Sequence, residues 1–421
     1  MKLFLKFSYR WLNARIIAPY FLPLKLARRS VLKIDSSIHK KNRRVWFHAA
    51  SVGELEALWP VILLSAQRRD ELIITILSGS ASGALDRLTK ALQTKVLQED
   101  KQVRVLKTGF SPWEGQWLES LVNLKPDLFV TVKYEAWPDL WMSLEELKIP
   151  LAIISVMARK SLKIAKWFCQ MTSGRLPLLK LLPSLPEDVA KLREIFPDAQ
   201  IEAVGDPRWD RVFSRMKQGN LRVLELVQRY QKFKKPWGVI GNAWLEDLHC
   251  LQAGLNQWSG TLWVVPHQID KKNIDKLKSF LIQCGLDPVL TSSPSLSLNS
   301  LQSDQSVVGC ILVDEMGFLS ELYSMADWAF VGGGYGEGIH STIEPAVYGV
   351  PIAGGPRGTG KFSEIRELSA TGQFTLIEYP HQFTNWLNDQ HRLAQRREDW
   401  IHKAQEHTGA AQKVLVSLEK S

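Results

Sequence analysis

Two short tracts hold most of the side chains able to do chemistry. The first, Val331–Pro351, reads VGGGYGEGIHSTIEPAVYGVP and places Gly332, Gly333, Gly334, Gly336 and Gly338 within seven residues, directly after the apolar run Trp328–Val331. Glycines let a backbone take positive φ and approach a ligand with no Cβ in the way. Ser341 can then cap a helix whose first free N–H groups and positive dipole end favour a phosphate or carboxylate. The tract therefore predicts an anion site, although a tight strand-to-helix turn with no ligand satisfies the same glycines.

The second tract is His48-Ala49-Ala50-Ser51-Val52-Gly53-Glu54, a strand, loop and helix start in which small residues leave space around one carboxylate. Glu54 there can act as a general base, and a helix N-terminus would keep it ionised. Ser51-x-x-Glu54 also fits a capping box, in which Glu54 only bonds back to the helix start. Ser341-x-x-Glu344 offers the same pair of readings. Further candidates end other apolar runs: Pro266 and His267 after Leu262–Val265, and Gly241 and Asn242 after Gly238–Ile240. Lys133 and Arg159 are strong donors to acidic oxygens. An ion pair of either with Glu135 is an equally good reading.

Short buried-strand patterns position these residues. Val45–Phe47, Leu72–Leu77, Leu128–Val132 and Leu151–Ser155 alternate with helical stretches, and a second series follows at Gly238–Ile240, Leu262–Val265, Cys310–Val313, Trp328–Val331, Pro351–Ala353 and Phe374–Ile377. Such alternation implies βαβ units and parallel sheets, hence two α/β domains. Between them Val204–Asp210, VGDPRWD, reads as a hinge region, and the serine-rich Leu290–Asp304 as a surface loop. Ligands in such sheets bind beyond the carboxyl ends of strands, which predicts a site in a cleft between the domains.

Composition bounds the partners. With 421 residues, 45% hydrophobic and 23% charged, the chain is globular and long enough for two domains. The formal charge of +10 suits an acidic partner. No acidic residue precedes Asp35, while Lys2, Lys6, Arg10, Arg15, Lys25, Arg28, Arg29 and Lys33 interleave with Phe7, Trp11, Tyr20 and Phe21. That segment is expected to lie on an anionic membrane surface or to pack as an ordinary first helix; it is too short in apolar residues to span a bilayer. Cys169, Cys250, Cys284 and Cys310 have no CxxC spacing, which argues against a zinc or disulfide framework.

The tracts HAASVGELEAL (48–58), VKYEAWPD (132–139), Ala158-Arg159, VGDPRWDRV, Pro266-His267 and the glycine tract stand in the order seen in 3-deoxy-D-manno-octulosonic acid (Kdo) transferases. The chain resembles that family of lipopolysaccharide biosynthesis. The resemblance implies a GT-B fold of two Rossmann-like domains facing a central cleft. It implies transfer of Kdo from CMP-Kdo to a lipid A precursor, lipid IVA, with inversion and without metal or other cofactor, at the cytoplasmic face of the inner membrane. Domain bounds expected on this basis are 1–35 for the membrane-associated segment, 36–210 for the acceptor side, 211–385 for CMP-sugar binding and 386–421 for a helical tail. By the same resemblance Glu54 is the base. Pro266, His267, Gly332, Gly333, Gly334, Gly336, Gly338, His340, Ser341, Thr342 and Glu344 would hold the donor. Ser51, Gly53, Lys133, Glu135 and Arg159 would face the acceptor. Ser341 stands where the family often has Asn, and Pro207 interrupts the hinge tract. No nucleic-acid partner is expected. A GT-B enzyme using another nucleotide sugar, or an inactive membrane-bound scaffold, are the rival readings.

Overall fold

The computed structural model describes residues 31–33, 40, 42–99, 104–113, 115–133, 135–172, 174–293, 309–389, 393 and 395–420. The chain forms two compact units, Met1–Arg211 with Gly409–Ser421, and Val212–Thr408. In chain order the first carries β1 Arg44–Ala49, α1 Val52–Gln67, β2 Glu71–Ile76, α2 Ser82–Glu99, β3 Arg104–Phe110, α3 Trp117–Leu124, β4 Leu128–Val132, α4 Pro138–Leu147, β5 Leu151–Ile154, α5 Lys160–Thr172, β6 Leu179–Leu182, α6 Pro186–Ile195 and β7 Gln200–Ile201. After α7 Pro207–Gln218 come α8 Leu221–Tyr230, β8 Trp237–Ala243, α9 Leu245–Leu255, β9 Thr261–Pro266, α10 Lys271–Gln283, β10 Pro288–Leu290, β11 Cys310–Leu312, α11 Leu319–Leu322, β12 Trp328–Val331 and α12 Ile343–Ala346. The chain then runs through β13 Ile352–Gly354, α13 Ser363–Ala370, β14 Phe374–Leu376, α14 Pro380–Asn388, α15 Arg397–Glu406 and α16 Ala410–Glu419.

Each unit holds one parallel seven-stranded sheet, in the order β3-β2-β1-β4-β5-β6-β7 and β10-β11-β9-β8-β12-β13-β14. Both reverse direction at one point, between β1 and β4 and between β8 and β12. In open α/β sheets the loops leaving strands at that point frame the ligand site.

The pleat of β1 explains how the first unit is filled. Val45, Phe47 and Ala49 face one layer with Leu55, Leu58 and Ile62 of α1 and Val414 and Leu418 of α16. Trp46 faces the other with Phe129, Ile153 and residues of α3 and α4. Successive side chains of a strand point to opposite faces, so a strand covered on both sides reads as a continuous apolar run. In the second unit Ile240, Leu262, Val264, Trp328 and Phe330 pack on α9, α10 and α14. Arg44 and Glu71, both buried, are held by two hydrogen bonds of 3.0 and 2.8 Å, and Arg104 adds a third to Glu71 at 2.9 Å.

All ten expected strands are present. β3, β6, β7 and β10 are additional. Two other expectations differ in detail. The segment expected as a hinge is loop only as far as Asp206, because Pro207 opens α7. The segment expected as one C-terminal tail is divided: α15 belongs to the second unit, whereas α16 lies on the first-unit core through Ala411, Val414 and Leu418. The expected membrane-associated segment falls almost wholly outside the described residues, as do residues 294–304 of the serine-rich loop. Among the described residues no helix is long and apolar enough to cross a membrane.

Candidate active site

In the first unit, three loops at the carboxyl edge of neighbouring strands carry the expected residues. Ser51, Gly53 and Glu54 follow β1, Lys133 and Glu135 follow β4, and Arg159 follows β5. Ser51 caps α1 by accepting from the Glu54 N–H at 3.4 Å, and the Glu54 carboxylate accepts from the Ala50 N–H at 2.6 Å. The capping geometry is thus real, shifted back by one residue from the usual box. It leaves the second carboxylate oxygen of Glu54 uncommitted to that bond. A Cβ on Gly53 would meet nothing within 4 Å, so the surface beside Glu54 is open.

Electrostatics at Glu54 reverse the expectation of a fully ionised base. Burial first, then the charge of Glu135, raise its pKa from 4.5 to about 7, against the opposing pull of the Ala50 bond, Lys133 and Ser51. Desolvation here outweighs the helix N-terminus. Glu135 accepts a 2.6 Å hydrogen bond from Trp137 Nε1 and is itself pushed up by burial. Lys133 also acts on Asp206, whose carboxyl, though buried, is held low by a two-pronged contact with Arg208 at 3.0 and 2.6 Å. Glu54, Lys133, Glu135 and Asp206 are therefore one electrostatic group. Arg211 steadies the helix that bears Glu54: its Nε donates to Glu56 at 2.6 Å and its guanidinium lies 3.9 Å from the Trp59 ring centre.

Lys133 and Ser155, each just past a strand end, have φ of +62° and +51°, and Asn242 in the second unit has +51°. Asn242 sits where the β8–β9 register slips, between Gly241 and Ala243. Non-glycine residues seldom adopt this conformation, and where they do the site often has a function. The three mark the carboxyl edges of β4, β5 and β8.

In the second unit the glycine tract leaves β12 beside β8, at the reversal point. Its glycines serve close packing more than amide exposure. A Cβ on Gly334 would stand 2.5 Å from the Gly355 backbone, and one on Gly332 would stand 2.3 Å from the Asn242 carbonyl. The expected free amides are largely occupied. Gly333 and Tyr335 donate to the buried Asp247 at 2.7 and 3.4 Å, Gly336 and Gly338 donate to the Gly333 carbonyl, and His340 donates to Gly332. The following helix α12 is a single turn whose N-cap is Thr342, with no side-chain cap bond, so the expected Ser341 cap is not formed.

Side chains supply the polarity that the amides do not. His267, beyond Pro266 at the end of β9, stacks on Trp244 at 4.7 Å and on His340 at 4.6 Å between ring centres. Burial, and then His267, push the pKa of His340 down to about 4, so both rings are hydrogen-bonding groups rather than charges at neutral pH. His340 Nε2 and Thr342 Oγ1 are buried without a hydrogen-bond partner. Glu344 lies 3.9 Å from Arg215, which also pairs bidentately with Glu321 at 2.9 and 3.0 Å. Lys361 Nζ lies 3.6 Å from where a Cβ on Gly338 would stand, and Arg357 donates to Gly336 at 2.6 Å.

Residues 25–211 match the family model described as 3-deoxy-D-manno-octulosonic-acid transferase (kdotransferase). A probable mitochondrial 3-deoxy-D-manno-octulosonic acid transferase of Arabidopsis thaliana is 26% identical over 355 residues, covering 78% of this chain and 72% of that protein. The 3-deoxy-D-manno-octulosonic acid transferase of Aquifex aeolicus is 26% identical over 332 residues, covering 77% and 79%. The family model covers somewhat less than half of the chain, and the similarity to Kdo transferases extends beyond it over about three quarters of the chain. The chain is a glycosyltransferase of the GT-B type, with two Rossmann-like domains. At the level of fold it is similar to the UDP-GlcNAc 2-epimerase of Neisseria meningitidis bound to UDP-GlcNAc, with a TM-score of 0.58, 12% identity, and coverage of 90% of this chain and 100% of that one.

Sequence reading missed Asp247, Trp244 and the Arg357–Lys361 loop. A signal for Asp247 existed in the spacing Trp244-x-x-Asp247 after a buried strand, which places an acid at the third position of a helix. For Lys361 the signal was the run GGPRGTGK after β13, a second glycine-rich strand exit beside the first.

Proposed function

We propose that this chain is a Kdo transferase that moves Kdo from CMP-Kdo to lipid IVA, with inversion at the anomeric carbon and Glu54 as general base. The observation that carries the reading is a carboxylate with a pKa near 7, buried at the reversal point of the first sheet and bordered by open space at Gly53. In the proposed step the acceptor hydroxyl oxygen attacks the anomeric carbon, its proton passes to Glu54, and CMP leaves from the opposite face. A base with a pKa close to the working pH is both sufficiently ionised and sufficiently basic.

On the donor side we assign the Trp244–His267–His340 stack, with Ser341, Thr342 and Glu344, to CMP-Kdo. Lys361 would answer its phosphate or carboxylate, since the neutral histidines do not. On the acceptor side Lys133 and Arg159 would face the acidic groups of lipid IVA. The enzyme would then work at the cytoplasmic face of the inner membrane, held there in part by the basic segment 1–35.

Product mass spectrometry after incubation with CMP-Kdo and lipid IVA tests the reaction. In parallel, CMP should raise the melting temperature more than UDP or GDP at equal concentration, because a ligand at 100 times its Kd adds about 2.7 kcal/mol of stability. A larger shift with UDP or GDP would point to another sugar nucleotide. Because the base must be deprotonated, kcat/KM should rise about tenfold per unit at low pH and level off through a midpoint near 7. A profile flat from pH 5 to 8 would count against a Glu54 base.

A further inference from the structure

Helix α5 presents the wrong face to water. Its buried side is formed by Leu162, Ala165, Cys169 and Thr172. The residues opposite, at helical spacing, are Ile164, Trp167 and Met171, which are 58%, 58% and 41% exposed. Leu178, between α5 and β6, is 72% exposed. A helix on the surface of a globular domain normally carries its polar residues on that line. Single exposed apolar residues are ordinary, but a continuous stripe of this kind marks an interaction surface.

The charge around the stripe is mostly basic, with the exposed Glu194 of α6 lining the same hollow as Lys163, Lys166 and Trp167. From Leu147 to Pro186 the sequence contains no acidic residue, while it contains Lys148, Arg159, Lys160, Lys163, Lys166, Arg175 and Lys180. Lys160, Lys163 and Arg175 are exposed, and Lys163 flanks the apolar line directly. An apolar stripe with an aromatic residue, rimmed by long basic side chains, is what an interfacial helix needs. Its apolar side chains enter the headgroup boundary while the lysines extend toward anionic lipid. A second copy of the chain is a poorer occupant, because a two-fold contact would set Lys160 and Lys163 against their own counterparts, and lysine is depleted in such interfaces.

We propose that the exposed line of α5, with Leu178, docks on the surface of an anionic lipid bilayer. This contact is additional to the basic segment 1–35 and does not depend on which sugar is transferred. Helix α5 begins directly after Arg159, at the carboxyl edge of the sheet, where Glu54 also lies, and the stripe runs from there toward Leu178, just before β6. A bilayer against it would thus meet the unit proposed to serve a lipid acceptor.

The test uses the full chain and sedimentation with vesicles of phosphatidylcholine alone or with phosphatidylglycerol. Wild type should partition to the phosphatidylglycerol vesicles and be released by salt. The triple variant Ile164→Ser, Trp167→Ser, Met171→Ser should lose at least about a hundredfold in partition, since each inserted apolar side chain is worth roughly tenfold or more. Lys163→Ser with Arg175→Ser should weaken binding only when phosphatidylglycerol is present. Because all five residues are exposed, the melting temperature and its rise with CMP should be unchanged, which separates this proposal from the donor assignment. Wild type that ignores both vesicles would overturn it. So would a triple variant that binds like wild type, leaving segment 1–35 as sufficient, or a wild-type dimer that the triple variant splits while vesicle binding persists.

Discussion

Glu54→Gln is expected to lower turnover of CMP-Kdo and lipid IVA by roughly 10²–10⁴-fold, the usual worth of a positioned general base. The substitution is chosen because it preserves what Glu54 does for the fold. A glutamine carbonyl can still accept from the Ala50 N–H, now 2.6 Å from the carboxylate, and Ser51 still caps α1. Activity and stability should therefore separate. Burial and Glu135 raise the folded pKa from 4.5 to about 7, so the folded chain holds a proton that the unfolded chain releases. The stability linked to that proton is full below pH 4.5 and lost as pH rises through 7. Glutamine removes this dependence, and at pH 8 the variant should equal or exceed wild type, by up to roughly 3 kcal/mol. Melting temperatures at pH 5 and pH 8, measured beside turnover, check both halves. Turnover close to wild type would reduce Glu54 to a helix cap.

The sequence made the strands at the centre of each sheet readable because they are covered on both faces. In β4, Phe129 faces one covered layer and Val130 the other, so the run reads as mostly apolar. β3, RVLKTGF, did not declare itself: it lies at the sheet edge, is only partly buried, and mixes Lys107 and Gly109 among apolar residues. β6 includes Lys180, which breaks its apolar run although its Nζ reaches the Ser417 carbonyl of α16. That contact spans 237 positions and leaves no local trace. The β1 tract was legible as a strand, cap and carboxylate because all three are encoded within seven residues. Its pKa was not, since Glu135 and Lys133 arrive from a strand some eighty positions away. The glycine tract shows the converse. Its glycines were correctly read as special, but what they allow is close passage of backbone at Asn242 and Gly355. Only the fold brings those partners near.

Asp247 is where this hidden order should be most costly to disturb. Its Oδ2 accepts from Gly333 at 2.7 Å and Trp244 at 3.0 Å, and its Oδ1 accepts from Tyr335 at 3.4 Å. One carboxylate thus ties the loop after β8, which carries the Trp244 end of the stack, to the loop after β12, which leads to His340. Asp247→Ala leaves three amides without this acceptor, a loss on the order of 3 kcal/mol, or roughly 6–10 °C in melting temperature for a unit of this size. The sign of its pH dependence follows from burial, which raises Asp247 from 3.8 to about 6. Its favourable contribution is full below pH 3.8 and diminishes as pH rises through 6, so the alanine deficit should be larger at pH 5 than at pH 8. Asp247→Asn separates shape from charge: its carbonyl can keep the Gly333 and Trp244 bonds and set its NH₂ against only the longest contact. The asparagine variant should melt near wild type and bind donor nearly as well. Alanine should raise the KM for CMP-Kdo about tenfold or more, with the KM for acceptor little changed. An alanine variant that melts like wild type would mean that water replaces the carboxylate and that the glycine crossings alone shape the donor loop.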